Sequence, residues 1–168
     1  MKALTVLAAL AVFSAVPAAH AQDDLQWRFR TSPGHSHLVY GPDGSDVGDL
    51  WFRCRDASGR ISVAFNVEQR LGVELRGTTW YDEAGRPAPW PVRVTVASGE
   101  HRAALSGQAH HDEARQASFV TADFPMGGPV LRNFTRSGRF EASAFGETAY
   151  TPVAPPELVA RFIEACEP

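Results

Sequence analysis

The chain has 168 residues, 16 basic and 19 acidic side chains, a formal charge of −3 and two cysteines. Lys2 is the single lysine, and every other basic residue is arginine. A mildly acidic chain without a run of basic residues argues against nucleic acid as a partner.

Residues 1–21 read as a secretory leader. Met1-Lys2 is a short basic start, Ala3 to Val16 is apolar, Pro17 breaks the run, and Ala19-His20-Ala21 offers small residues for cleavage before Gln22. A membrane anchor needs about 20 consecutive apolar residues, and this run is shorter. No later segment is apolar enough to span a bilayer. No cysteine follows the cleavage site, so a lipid anchor is not supported. Cleavage would leave roughly 147 residues, enough for one domain, 22–168, with its own core. The expected location is periplasmic or secreted.

Gln22 to Leu25 reads as a frayed start. Gln26 to Arg30 alternates as an opening strand carrying Trp27 and Phe29. His35 to Tyr40 is a second strand, followed by the turn Gly41-Pro42-Asp43-Gly44. Leu50, Phe52 and Cys54 then alternate with Trp51, Arg53 and Arg55. Ile61, Val63, Phe65 and Val67 alternate with Ser62, Ala64 and Asn66. With Asp56-Ala57-Ser58-Gly59 between them, these two runs predict a hairpin.

Leu71 to Leu75 and Thr78 to Tyr81 are strand-like, and Asp82 to Pro91, with Gly85, Pro87, Pro89 and Pro91, is a surface loop. Val92 to Val96 is a strand. Gly99 turns into a strand over His101 to Ser106. Gln108 to Ala114 is a polar hairpin tip, and Arg115 to Phe124 is another strand. Val130, Leu131 and Phe134 suit a short helix better than a strand. Arg139 to Phe145 is a strand, and Thr151 to Pro156 an extended connector. Pro156 starts a helix to Cys166, where its missing N–H costs nothing. Leu158, Val159, Phe162, Ile163 and Cys166 form one apolar stripe.

Cys54 lies on the apolar face of its strand, and Cys166 ends the helix stripe. In an exported chain with two cysteines, a bridge between them is expected. Closing a loop of about 110 residues would contribute on the order of 4 to 5 kcal/mol in the chain-entropy view. Eight to ten short strands, with no helices between successive strands, predict an all-β fold. It would be an antiparallel two-sheet sandwich or small barrel with a C-terminal helix over 156–166.

No Gly-x-Ser-x-Gly, His-Glu-x-x-His or Cys-x-x-Cys occurs. No catalytic residue is assigned. His35 and His37 share one strand face, and His110-His111-Asp112-Glu113 adds two imidazoles and two carboxylates. If these regions met, they could hold copper or zinc. Otherwise they are solvated polar surface. Trp51, Arg53 and Arg55 form a row that could meet an anionic ligand or an acidic partner. Trp80, Tyr81 and Trp90 bracket the proline-rich loop, either as a rigid binding surface or folded back as a lid on the core.

Trp27, Arg53-Cys54 and the helix from Leu158 to Phe162-Ile163-Glu164-Ala165-Cys166 lie across most of the chain. In this layout the chain resembles the small secreted accessory proteins found with type VI secretion systems, and related exported domains of unknown function. The resemblance implies a disulfide-closed sandwich. The proline-rich loop and Met126-Gly127-Gly128-Pro129 lie outside it.

Three functions follow. The first is a non-enzymatic binding or accessory protein of the cell envelope. The second is an exported metal-binding protein or hydrolase, which should gather His101, His110 or His111 with a carboxylate such as Asp123 or Glu113 in a cleft. The third is an inhibitor of a cell-wall-degrading enzyme.

Overall fold

A computed structural model of the chain describes residues 25–44 and 48–168, so the expected leader lies outside the described residues. The strands are β1 (Gln26–Ser32), β2 (His35–Gly41), β3 (Leu50–Arg55), β4 (Arg60–Val67), β5 (Glu74–Arg76), β6 (Thr79–Tyr81), β7 (Trp90–Ser98), β8 (His101–Asp112), β9 (Ala117–Pro125), β10 (Glu141–Ala144) and β11 (Glu147–Tyr150). Two helices, α1 (Pro129–Ser137) and α2 (Pro156–Cys166), complete the described chain.

The all-β class with a C-terminal helix holds. Its arrangement falls on the barrel side of the two expected. One antiparallel sheet of nine strands, in the order β1-β2-β3-β4-β9-β8-β7-β10-β11, curls into a half-barrel rather than splitting into two facing sheets. β5 and β6 form a separate ribbon. The period-two pattern dictates this wrapping. Leu50, Phe52 and Cys54 point inward on β3, as do Ile61, Val63, Phe65 and Val67 on β4, and all are buried. Both helices lie on that inner face: α1 contacts β7 and β8, and α2 contacts β1 and β2.

Phe52 is the centre of the core. Its ring lies 4.7 Å from Phe140, 5.0 Å from Phe134 of α1, 6.1 Å from Phe162 of α2 and 6.3 Å from Trp27 of β1. One strand residue thus joins both helices and the sheet edge through aromatic packing.

The disulfide joins Cys54 to Cys166, with Cα atoms 5.8 Å apart. Backbone reinforces it. The last carbonyls of a helix have no partner within the helix. Here the β3–β4 turn supplies two donors: Ala57 N–H to the Ala165 carbonyl at 3.1 Å, and Gly59 N–H to the Cys166 carbonyl at 3.0 Å.

Three local differences have clear causes. β8 runs to Asp112, through the expected tip, because Gln108 and His110 keep alternating with Ala109 and His111 and pair with β9. The turn falls at 113–116 instead. β11 was not expected. Phe145 and Gly146 both have positive φ, 54° and 84°, and make the two-residue turn that reverses β10 into β11. β5 begins at Glu74 rather than Leu71, since Leu71 N–H donates to the Ser118 hydroxyl instead of joining a ladder. No helix among the described residues is long and apolar enough to cross a membrane.

Candidate binding surface on the outer face of the sheet

The side chains that alternate away from the core form the outer face. Strand register sets their order. One row runs Arg30, His37, Arg53, Ser62, Asp123 across β1, β2, β3, β4 and β9. Ser32, His35 and Arg55 form the row beside it. On the other side Trp51, Ala64, Thr121 and Gln108 are aligned across β3, β4, β9 and β8.

An aromatic strip borders the arginines. The Trp51 ring lies 6.0 Å from Phe119, and His110 stacks on Phe119 at 4.8 Å with 9° between planes. Burial under this packing pushes the His110 pKa down, so the ring is neutral at pH 7. Its Nε2 lies 3.4 Å from the Thr121 hydroxyl.

The cations that β1 to β4 place on this face fall into two groups. Arg28 and Arg30 lie 3.7 and 3.9 Å from Asp43. Arg53, Arg55 and Arg60 are exposed, and among the described residues no carboxylate lies within ion-pair distance of them. They surround a depression of about 420 Å³ that also takes in His35, Ser62 and Asp123. Arg53 also borders a second depression, of about 480 Å³, with Arg30 and His37.

Trp80, Tyr81 and Trp90 are not on this surface. Trp90 is 5% exposed, and its indole N–H donates to the Arg86 carbonyl at 3.0 Å. The loop between β6 and β7 is held by Asp82, which accepts from the Arg86 backbone N–H at 2.8 Å and from its guanidinium at 2.7 Å. Those bonds, the backbone one first, keep the Asp82 carboxyl below its usual range. Trp80 packs on His111 at 3.8 Å, and the Arg76 guanidinium sits 4.6 Å above the Tyr81 ring. Trp90 therefore belongs to the core and Trp80 packs against it, whereas Tyr81 is half-buried beneath the Arg76 guanidinium.

The two histidine regions stay apart. β2 carries His35 and His37, while β8 carries His110 and His111, with β3, β4 and β9 between them. Four strand spacings amount to roughly 19 Å. Among the described residues no three His, Cys, Asp or Glu side chains are placed to hold a metal ion. His35 Nδ1 faces the Pro33 carbonyl at 3.3 Å, and His37 Nε2 faces the Ser32 hydroxyl at 3.3 Å. His111 is wedged between Trp80 and Gly72, with no hydrogen-bond partner for either ring nitrogen among the described residues. Burial first, then the nearby Arg70 charge, lowers its pKa.

Of the acid–base set expected of a hydrolase, His111 feels the nearby charges of Asp112 and Glu113 but hydrogen-bonds to neither. His101 and Glu113 flank opposite ends of the twelve-residue β8, roughly 40 Å apart. Asp123 sits on the outer face beside Ser62.

Arg60 and Phe119 belong to the outer-face surface and were not singled out from the sequence. Alternation places Arg60 with Ser62 on the polar face of β4. Phe119 gives no such signal, because an outward phenylalanine reads as core.

No protein-family model, no curated protein and no solved structure matches this chain.

Proposed function

We propose that the chain is an exported, non-enzymatic binding protein of the cell envelope that works through the outer face of its sheet. The observation that carries this reading is the strip of Trp51, Phe119 and His110 beside Arg53, Arg55 and Arg60, three guanidiniums with no carboxylate partner among the described residues. Aromatic and arginine side chains dominate binding energy at protein interfaces, and charged residues without partners are available to a ligand. The histidines support the same reading, since His110 stacks on Phe119 and His111 packs on Trp80 without a hydrogen bond to the nearby Asp112 or Glu113.

Export rests on two features. Residues 1–21 have the pattern of a cleavable leader, and the Cys54–Cys166 disulfide belongs to an oxidising compartment. We place the protein in the periplasm or the medium. An accessory role rests on the resemblance of Trp27, Arg53-Cys54 and Leu158 to Cys166 to the secreted accessory proteins of type VI systems.

The test is affinity capture from envelope extract, with the leaderless chain and with a Trp51→Ala/Arg53→Glu/Arg55→Glu variant. One specific partner should be recovered with the first and lost with the second. Equal recovery with both, or turnover of a substrate by the chain alone, overturns the reading.

A further inference from the structure

We propose that the depression at the end of the β3–β4 hairpin is a phosphate-monoester site. This rests on the outer-face reading and gives that face a ligand chemistry.

Three observations converge. First, Arg53 and Arg55 project from one face of β3 two residues apart, about 7 Å along the strand, and Arg60 joins them from β4. All three border one depression of about 420 Å³. Second, none of the three has an ion-pair partner among the described residues, in a chain whose formal charge is −3. Three like charges around one depression, with Asp123 as the one carboxylate among its lining residues, repel one another, and a bound anion removes that repulsion. Third, the neutral donors have the right chemistry. Ser62 lies between Arg53 and Asp123 in the strand register, and its hydroxyl has no protein partner among the described residues.

The number of guanidiniums decides the ligand class. A carboxylate has one charge and two oxygens, and a single arginine fork can satisfy it. A phosphate monoester has close to two charges and three terminal oxygens, which three forks can share. Asp123 borders the same depression and opposes any anion there. It therefore gives a sign that a generic positive patch would not.

The monoester can be carried by a soluble metabolite or by a lipid such as phosphatidic acid. The experiment uses the leaderless chain with its disulfide intact. Inorganic phosphate is titrated calorimetrically. In parallel, the chain is sedimented with phosphatidic acid vesicles and with phosphatidylcholine vesicles. Binding of phosphate supports the site and a soluble source. Binding only to phosphatidic acid vesicles supports it with a lipid source. Arg53→Gln, Arg55→Gln and Arg60→Gln should each weaken binding about tenfold, the weight of one charge-assisted bond. Asp123→Asn should tighten it roughly threefold. Unchanged thermal midpoints for these exposed positions separate a ligand role from a folding role.

No binding to phosphate or to either vesicle overturns the proposal. So does binding that is indifferent to all three arginine variants. If phosphate does not bind but partner capture still fails in the Trp51→Ala/Arg53→Glu/Arg55→Glu variant, the phosphate site falls and the outer-face reading survives. If phosphate binds while capture is unaffected, the reading falls and the site survives.

Discussion

The indole N–H of Trp27 donates to the carbonyl of Pro152 at 2.9 Å, across 125 residues of sequence. Trp27 is on β1, one edge strand of the half-barrel, and Pro152 is in the connector leaving β11, the other edge strand. The bond ties the two open edges together. The connector is fixed on its other side by Ala154 N–H, which donates to the Gly138 carbonyl at 2.8 Å. Trp27→Phe keeps an aromatic ring but leaves the Pro152 carbonyl without this donor. Pro152 is exposed, so water can replace the lost donor, and the substitution should cost about 1 kcal/mol, the net worth of one hydrogen bond. Urea denaturation with an unchanged slope would measure it.

Removing the Cys54–Cys166 bridge by a paired Cys→Ser substitution should lower stability by about 4 kcal/mol, given a closed loop spanning 112 residues. The folded, unreduced chain should take up no alkylating reagent at either sulfur. Alkylation of both in folded material would contradict the fold described here.

Gly138 ends α1 with φ at 65°, and a Cβ there would lie 2.2 Å from the Ala154 carbonyl oxygen. Gly34 has a similar φ, 71°, with nothing among the described residues within 4 Å of such a Cβ. Gly34→Ala should cost about 1 kcal/mol, from backbone conformation alone. Gly138→Ala should cost more, at least about 2 kcal/mol, because the connector backbone must also move. Chemical denaturation of the pair compares the two directly.

Burial lowers the pKa of both His110 and His111 in the folded chain. A group with a depressed folded pKa stabilises the fold fully above its unfolded pKa, and that stability is lost as pH falls toward the folded value. The unfolded value for histidine is about 6.5. Stability should therefore decline as pH falls below about 6.5. His111 faces Trp80 from the ribbon, with Arg70 nearby opposing its protonation and Asp112 and Glu113 favouring it. A His111→Gln variant should show a flatter thermal midpoint between pH 7 and pH 5 than the parent chain.

Side-chain period carried most of the fold in the sequence. Alternation located β1 to β4 and, with the stripe from Leu158 to Cys166, placed both cysteines on faces that meet. What it could not supply was how far a sheet curls. Curvature depends on what fills the concave side, and Phe134 and Phe162 do that from two helices that are distant in sequence. Nor did it place Trp90. The proline-rich run read as a surface loop to Pro91, yet β7 begins at Trp90, which shares the inward face of Val94 and Val96 and donates its indole N–H to the Arg86 carbonyl. The row of Trp51, Arg53 and Arg55 was legible because all three lie on one strand. Arg60 joins it across the short β3–β4 turn, and Phe119 only through the register that pairs β4 with β9 across a long loop.

Site-directed photocrosslinking in intact cells asks whether the outer face of the sheet meets a partner. A photoreactive phenylalanine analogue is placed at Trp51, and in a separate chain at Tyr150, which is 74% exposed on the edge strand β11. A discrete crosslinked species is expected from position 51 and none from position 150. A crosslink from position 150 alone, or the same products from both, would contradict the outer-face reading.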